Sequence, residues 1–155
     1  MPVVSSRRYP AAVAKLVVSR TINARPEVVW ADLRNISSHV DWMADAASIR
    51  FLGPSTEGVG TRFECDTHIG PFHLTDVMEI TKWIPDQRMG VQHRGLVRGS
   101  GEFRLEPKRG GRTTFTWEER LRFRWFLGGR ITAWFARPVL RLVWKGNLRR
   151  LSRRF

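Results

Sequence analysis

Residues 60–84 read GTRFECDTHIGPFHLTDVMEITKWI, and their alternation decides the fold. Phe63, Cys65, Thr67 and Ile69 fall on one side; Arg62, Glu64, Asp66 and His68 fall on the other. Successive side chains leave a strand on opposite faces, so this is a strand with one wet face. Gly70-Pro71 breaks the pattern as a turn would. The alternation then resumes with Phe72, Leu74, Asp76, Met78 and Ile80 aligned. Strands joined by so short a turn are antiparallel neighbours.

Working outward, period two holds from Asp45 onward. Strands are expected near 48–53, 60–69, 72–84, 87–95, 98–107 and 112–124. The turns between them are Pro54 to Gly60, Gly70-Pro71, Pro85-Asp86, Gly95 to Gly99, and Lys108 to Gly111. Upstream, residues 13–24 alternate too, with Ala14, Leu16, Val18, Arg20 and Ile22 on one side. Pro26 suits the first turn of a helix, where its missing N–H costs nothing. Val29, Leu33 and Ile36 continue that helix, with Trp30 alongside. Ser37 or Ser38 is expected to cap a second short helix carrying Val40, Trp42 and Met43. Gly128-Gly129 opens a long helical segment that runs to the C-terminus. Strand, two short helices, six strands and a long helix make an α+β protein. The expected architecture is a seven-stranded curved antiparallel sheet around the C-terminal helix. Residues 1–12 read as a loose leader and 13–155 as one domain.

Composition sets the outer limits. The chain has 155 residues, 42% hydrophobic and 26% charged, which is globular composition. Its one cysteine, Cys65, excludes an intramolecular disulfide and any multi-cysteine metal site. Met1 to Pro10 holds no apolar run of signal-peptide length, and no run of spanning length occurs anywhere. From these absences the expected compartment is the cytoplasm. Net charge is +13, unevenly spread. Of 27 lysines and arginines, 11 fall in residues 120–155, which contain no Asp or Glu. The other 16 are nearly balanced by the 14 acids. Such asymmetry points to an anionic partner.

Several segments together resemble the Bet v 1/START (SRPBCC) superfamily, in its polyketide cyclase/dehydrase-like branch. They are Val18 to Trp30, Trp42, Gly58-Val59-Gly60-Thr61, Ile84 to Arg88, and Gly110 to Thr113. The resemblance spans roughly 15–153. It implies the helix-grip fold and an internal pocket for a hydrophobic or amphipathic small molecule. It fixes no reaction, because function resides in the site and not in the fold.

The alternation nominates the inner face. Phe63, Cys65, Leu74, Met78, Met89, Val91, Phe103, Phe115, Trp117 and Leu121 are expected to line a ligand space, with Trp134, Phe135 and Val139 from the helix. Phe123 continues the last of these strands. Asp76, His93 and Glu119 interrupt this apolar face. Buried carboxylates are costly unless paired or protonated. Two explanations stand side by side: catalytic or ligand-orienting acid/base groups, or structural partners of backbone, arginine or water. His68 and His73 flank the Gly-Pro turn on no shared regular face, so no metal site is expected. Cys65 has no neighbouring base and reads as a small hydrophobe. Gly58-x-Gly60 does not lead into a helix, no nucleophile elbow is present, and no cofactor is implied.

On the C-terminal helix, Ile131, Phe135, Val139, Leu142 and Val143 share a face expected to pack into the sheet. Trp134, Leu140, Trp144, Leu148 and Leu151 are expected on or near the solvent side. Pro138 is expected to kink the helix or start a new segment. Arg137, Arg141, Lys145, Arg149 and Arg153 recur every four residues, a stripe suited to an anionic membrane surface. The alternative is a solvated basic face. Nucleic acid is disfavoured, since no reader motif is visible. The sequence sets no oligomeric state. The readings carried forward are a small-molecule binder, a cyclase/dehydratase-type enzyme, and a peripheral membrane adaptor.

Overall fold

The computed structural model describes residues 13–122 and 129–155. The leader reading for 1–12, and the strand end at Phe123 and Arg124, lie outside them. Strand β1 (Val13–Ile22) is followed by helix α1 (Pro26–Leu33) and a 3₁₀ helix (Ile36–Asp41). Then come β2 (Ala46–Phe51), β3 (Arg62–Ile69), β4 (Phe72–Ile84), β5 (Arg88–Arg94), β6 (Arg98–Lys108) and β7 (Arg112–Arg122), and last α2 (Gly129–Ser152). One sheet holds all seven strands in the order β1-β7-β6-β5-β4-β3-β2, antiparallel throughout. This is the seven-stranded antiparallel sheet with a C-terminal helix expected from the sequence pattern, and the helix-grip fold that the family resemblance implies.

Two local features depart from the sequence reading. The second helix is 3₁₀ and starts at Ile36, with Asn35 at its N-cap; Ser38 sits inside it and donates to the Asn35 carbonyl at 2.8 Å. A bulge at Thr81 shifts the β4–β5 register between Ile80 and Lys82. It lets Trp83 turn inward against Trp30, at 5.1 Å between ring centroids.

The core forms where β1 and β7 meet α1, the 3₁₀ helix and the second half of α2. Leu16, Ile22, Val29, Leu33, Ile36, Trp42, Phe115, Leu148 and Leu151 are buried there. Fully burying side chains of this size contributes ~1.5–3 kcal/mol each.

The helix-face expectation is inverted for most of its residues, although Trp134 is exposed and Val143 packs against the core as expected. Trp144, Leu148 and Leu151, expected near solvent, are buried. Ile131, Phe135, Val139 and Leu142, expected to pack inward, are exposed. Both sets satisfy helical periodicity, so tertiary contacts decide. Trp144 stacks on Trp117 of β7, 4.7 Å between centroids. Buried Asn147 donates to the Asp45 carboxylate at 2.6 Å and accepts from the Ala44 N–H at 3.0 Å. Arg150 donates to the Trp42 carbonyl, and Arg154 grips Asp32 through two hydrogen bonds of 2.7 and 2.8 Å. These ties fix the rotation of the last three turns, and the first turns inherit it. Helix α2 also runs unbroken past Pro138 instead of starting a second segment there.

Candidate functional site

Asp76, His93 and Glu119 come from three different strands, β4, β5 and β7. They meet on the inner face and are buried, 3%, 8% and 5% exposed. His93 Nδ1 lies 2.6 Å from Asp76 Oδ2, and His93 Nε2 lies 3.0 Å from Glu119 Oε2. The other Glu119 oxygen accepts from the Trp117 indole N–H at 2.9 Å. Trp117 packs against Trp42 and Phe103, with centroids 6.2 and 5.3 Å apart. A continuous polar line thus runs from Trp117 through Glu119 and His93 to Asp76.

Glycines make this line possible. Strands β5 and β7 are separated by β6, a span of about 9–10 Å. Across β6, His93 pairs with Gly99, and Glu119 pairs with Gly101. The imidazole therefore crosses β6 where that strand presents no side chain. A Cβ on Gly101 would sit 2.3 Å from Glu119 Oε1, and one on Gly95 would sit 2.0 Å from Asp76 Oδ1. Gly99 adds a backbone reason, with φ +142° and the Arg120 carbonyl 1.8 Å from where a Cβ would be. The sequence reading took Gly95 and Gly99 only as turn signals and passed over Gly101. Gly101→Ala must push the Glu119 carboxylate off its Trp117 and His93 partners. The expected loss is ~1–3 kcal/mol in urea unfolding. Gly53→Ala, whose Cβ would meet nothing within 4 Å, is the control expected to change little.

Burial by itself disfavours the imidazolium, but the Glu119 and Asp76 carboxylates outweigh it and raise the His93 pKa to about 10. His93 is therefore a cation at neutral pH, with both nitrogens donating. Three of the four carboxylate oxygens in the cluster have partners. The fourth, Asp76 Oδ1, is buried and has no partner among the described residues, and the same holds for the Trp42 indole N–H. Buried polar atoms in native proteins are nearly always hydrogen-bonded, so each such orphan calls for an explanation.

The remaining nominated residues divide in two. Phe63, Cys65, Met89, Phe115, Trp117 and Leu121 are buried, and Leu74, Met78, Val91 and Phe103 keep part of their surface open. Trp134, Phe135 and Val139 are exposed, on the side of α2 turned away from the core. Burial pushes the Cys65 thiol up to about 11, which leaves no thiolate for chemistry at neutral pH. His68 and His73 do share a face, contrary to expectation. The two-residue Gly70-Pro71 turn makes them cross-strand partners, stacked at 4.0 Å. His39 carried no sequence signal, yet it is buried between Trp42 and Phe103 and bonds the Leu33 carbonyl at 2.8 Å. Burial lowers its pKa to about 4, so it stays neutral and donates through Nε2. Two surface concavities lie elsewhere. One of about 460 Å³ lies beside Pro26 and Arg88, and one of about 420 Å³ lies on the outer face near Lys82 and Glu102.

Comparison with solved structures agrees on the fold. Protein TTHA0849 from Thermus thermophilus superposes with a TM-score of 0.78 at 17% identity, over 90% of this chain and 95% of that one. The Zhui aromatase/cyclase from Streptomyces sp. R1128 gives 0.71 at 17% identity, over 91% and 92%. The di-domain aromatase/cyclase StfQ of the steffimycin biosynthetic pathway gives 0.72 at 14% identity, over 90% of this chain and 50% of that one. Among curated proteins none matches the sequence significantly. The family model described as polyketide cyclase / dehydrase and lipid transport matches residues 13–155, from the first residue of β1 through the last turn of α2 and beyond. With that span and the helix-grip sheet, the chain belongs to the polyketide cyclase/dehydrase and lipid transport family.

Proposed function

We infer that the protein holds a hydrophobic or amphipathic small molecule, such as a lipid, isoprenoid or polyketide-like compound, on the inner face of the sheet. Asp76 Oδ1 carries the reading. It is a buried acceptor with no partner among the described residues, at the end of a line whose other carboxylate oxygens are bonded, on an inner face that also carries apolar side chains only partly covered. A ligand hydroxyl would satisfy it, and Leu74, Met78, Val91 and Phe103 would cover the ligand's apolar part. Apolar burial at about 25 cal/mol per Å² would supply most of the affinity. The family and the folds it shares with aromatase/cyclases support a ligand-holding role.

A second reading, a cyclase/dehydratase-type enzyme, draws on the same atom. His93 has both nitrogens committed and Glu119 both oxygens. Asp76 Oδ1 is thus the group left to accept a proton from an enolisable carbonyl compound.

Native mass spectrometry of freshly purified protein is the direct test. A co-purified lipophile, reduced in Asp76→Asn, is the expected result. If none is found, and 1-anilinonaphthalene-8-sulfonate neither binds nor is affected by Asp76→Asn, the reading fails. Turnover of a model aromatic polyketide that Asp76→Asn abolishes while binding persists would select the enzyme.

A further inference from the structure

We propose that one end of the molecule, built from the first turns of α2 and the hairpin tips beside them, docks on an anionic lipid surface. The inference is independent of the pocket, because every group it uses is on the outside.

Helical spacing places Ile131, Trp134, Phe135, Val139 and Leu142 on a single face of α2, and all five are exposed, Trp134 by 70%. An isolated exposed apolar residue is ordinary, but a continuous stripe of five is not. Antiparallel order brings other groups to the same end. The start of β1, the end of β7 and the β5–β6 hairpin lie there, since Val13 pairs with Arg122, Arg122 with Arg98, and Arg98 with Arg94. The hairpin tips pointing that way expose Leu96 and Phe72. Helix α2 enters from this end, as Arg137 bonds the Lys15 carbonyl near the start of β1 and Ser152 bonds Arg20 near its finish.

Charge identifies the occupant. Arg94, Arg98 and Arg122 form a cross-strand row, and only Arg94 has an acidic partner, Glu79, among the described residues. Arg141 and Lys145, which follow the first turns of α2, are exposed and likewise lack acidic partners there. Like charges set side by side are unfavourable unless counter-ions or a ligand neutralise them. A second copy seated on the stripe would bring two sets of these cations together. An anionic bilayer offers apolar depth for Trp134 and Phe135 and headgroup charge for the flanking arginines.

The test is co-flotation with vesicles of phosphatidylcholine alone or mixed with phosphatidylglycerol. Binding is expected to the mixed vesicles, weakening with salt. Trp134→Ala/Phe135→Ala should cut partitioning by about tenfold or more. Arg137→Glu/Arg141→Glu should cut it by a similar factor, on anionic vesicles only. Unchanged thermal melts would show that both variants remain folded. Equal weak binding to both vesicle types overturns the proposal. So does undiminished binding by both variants, or a dimer in sedimentation that the aromatic variant converts to monomer. Tighter binding to a nucleic-acid duplex than to mixed vesicles also overturns it.

Discussion

His93→Leu is expected to destabilise the protein by ~3–5 kcal/mol, because it leaves two buried carboxylates facing each other with no cation between them. Urea unfolding at neutral pH measures this. Adding Asp76→Asn and Glu119→Gln to His93→Leu should recover part of the loss, since no charge then remains buried without a partner. A triple variant no more stable than the single one would show that the imidazole serves packing and not charge.

The same residue sets a pH dependence whose sign can be worked out. Its folded-state pKa of about 10 lies above the ordinary 6.5. The stabilisation is fully present below pH 6.5 and is lost as pH rises toward 10, at about 1.4 kcal/mol per pH unit within that window. His39 acts in the opposite sense. Its folded pKa of about 4 lies below 6.5, so its contribution is intact above pH 6.5 and is lost as pH falls toward 4. Between them the two histidines place a stability maximum near pH 6.5. His93→Leu should remove the alkaline limb that the imidazolium creates, and His39→Leu should remove the acid limb that the buried neutral imidazole creates. Denaturation midpoints across pH 4–10 read both limbs directly.

Trp144→Ala should cost ~3–5 kcal/mol, and Trp134→Ala no more than ~0.5 kcal/mol. The two tryptophans sit on one helix but differ in surroundings. Trp144 is 5% exposed and stacked on Trp117, whereas Trp134 faces solvent. Losing the first leaves a cavity beside Glu119's partner, and losing the second removes nothing the core uses. Equal costs in urea unfolding would mean that α2 is rotated from the orientation described.

The strands were readable because a one-sided sheet forces alternation. The expected strands 60–69 and 72–84 coincide closely with β3 (Arg62–Ile69) and β4 (Phe72–Ile84). Asp76, His93 and Glu119 were visible as polar interruptions of an apolar face, although their mutual contact was not. That contact depends on Gly99 and Gly101 lying between β5 and β7, a relation between strands and not within one. The bulge at Thr81 and the burial of His39 likewise left no local pattern.

The sequence by itself determined the order of elements, the two faces of the sheet and the concentration of cations in residues 120–155. Each of these depends on neighbours two to four positions away. Tertiary structure alone decided which side of α2 is inside. Its two faces are both apolar enough to pack, and the Trp144–Trp117 stack together with the Asn147–Asp45 bond selects one. The rejected face became the exposed stripe, and a buried imidazolium found its carboxylates because glycines cleared the way across β6.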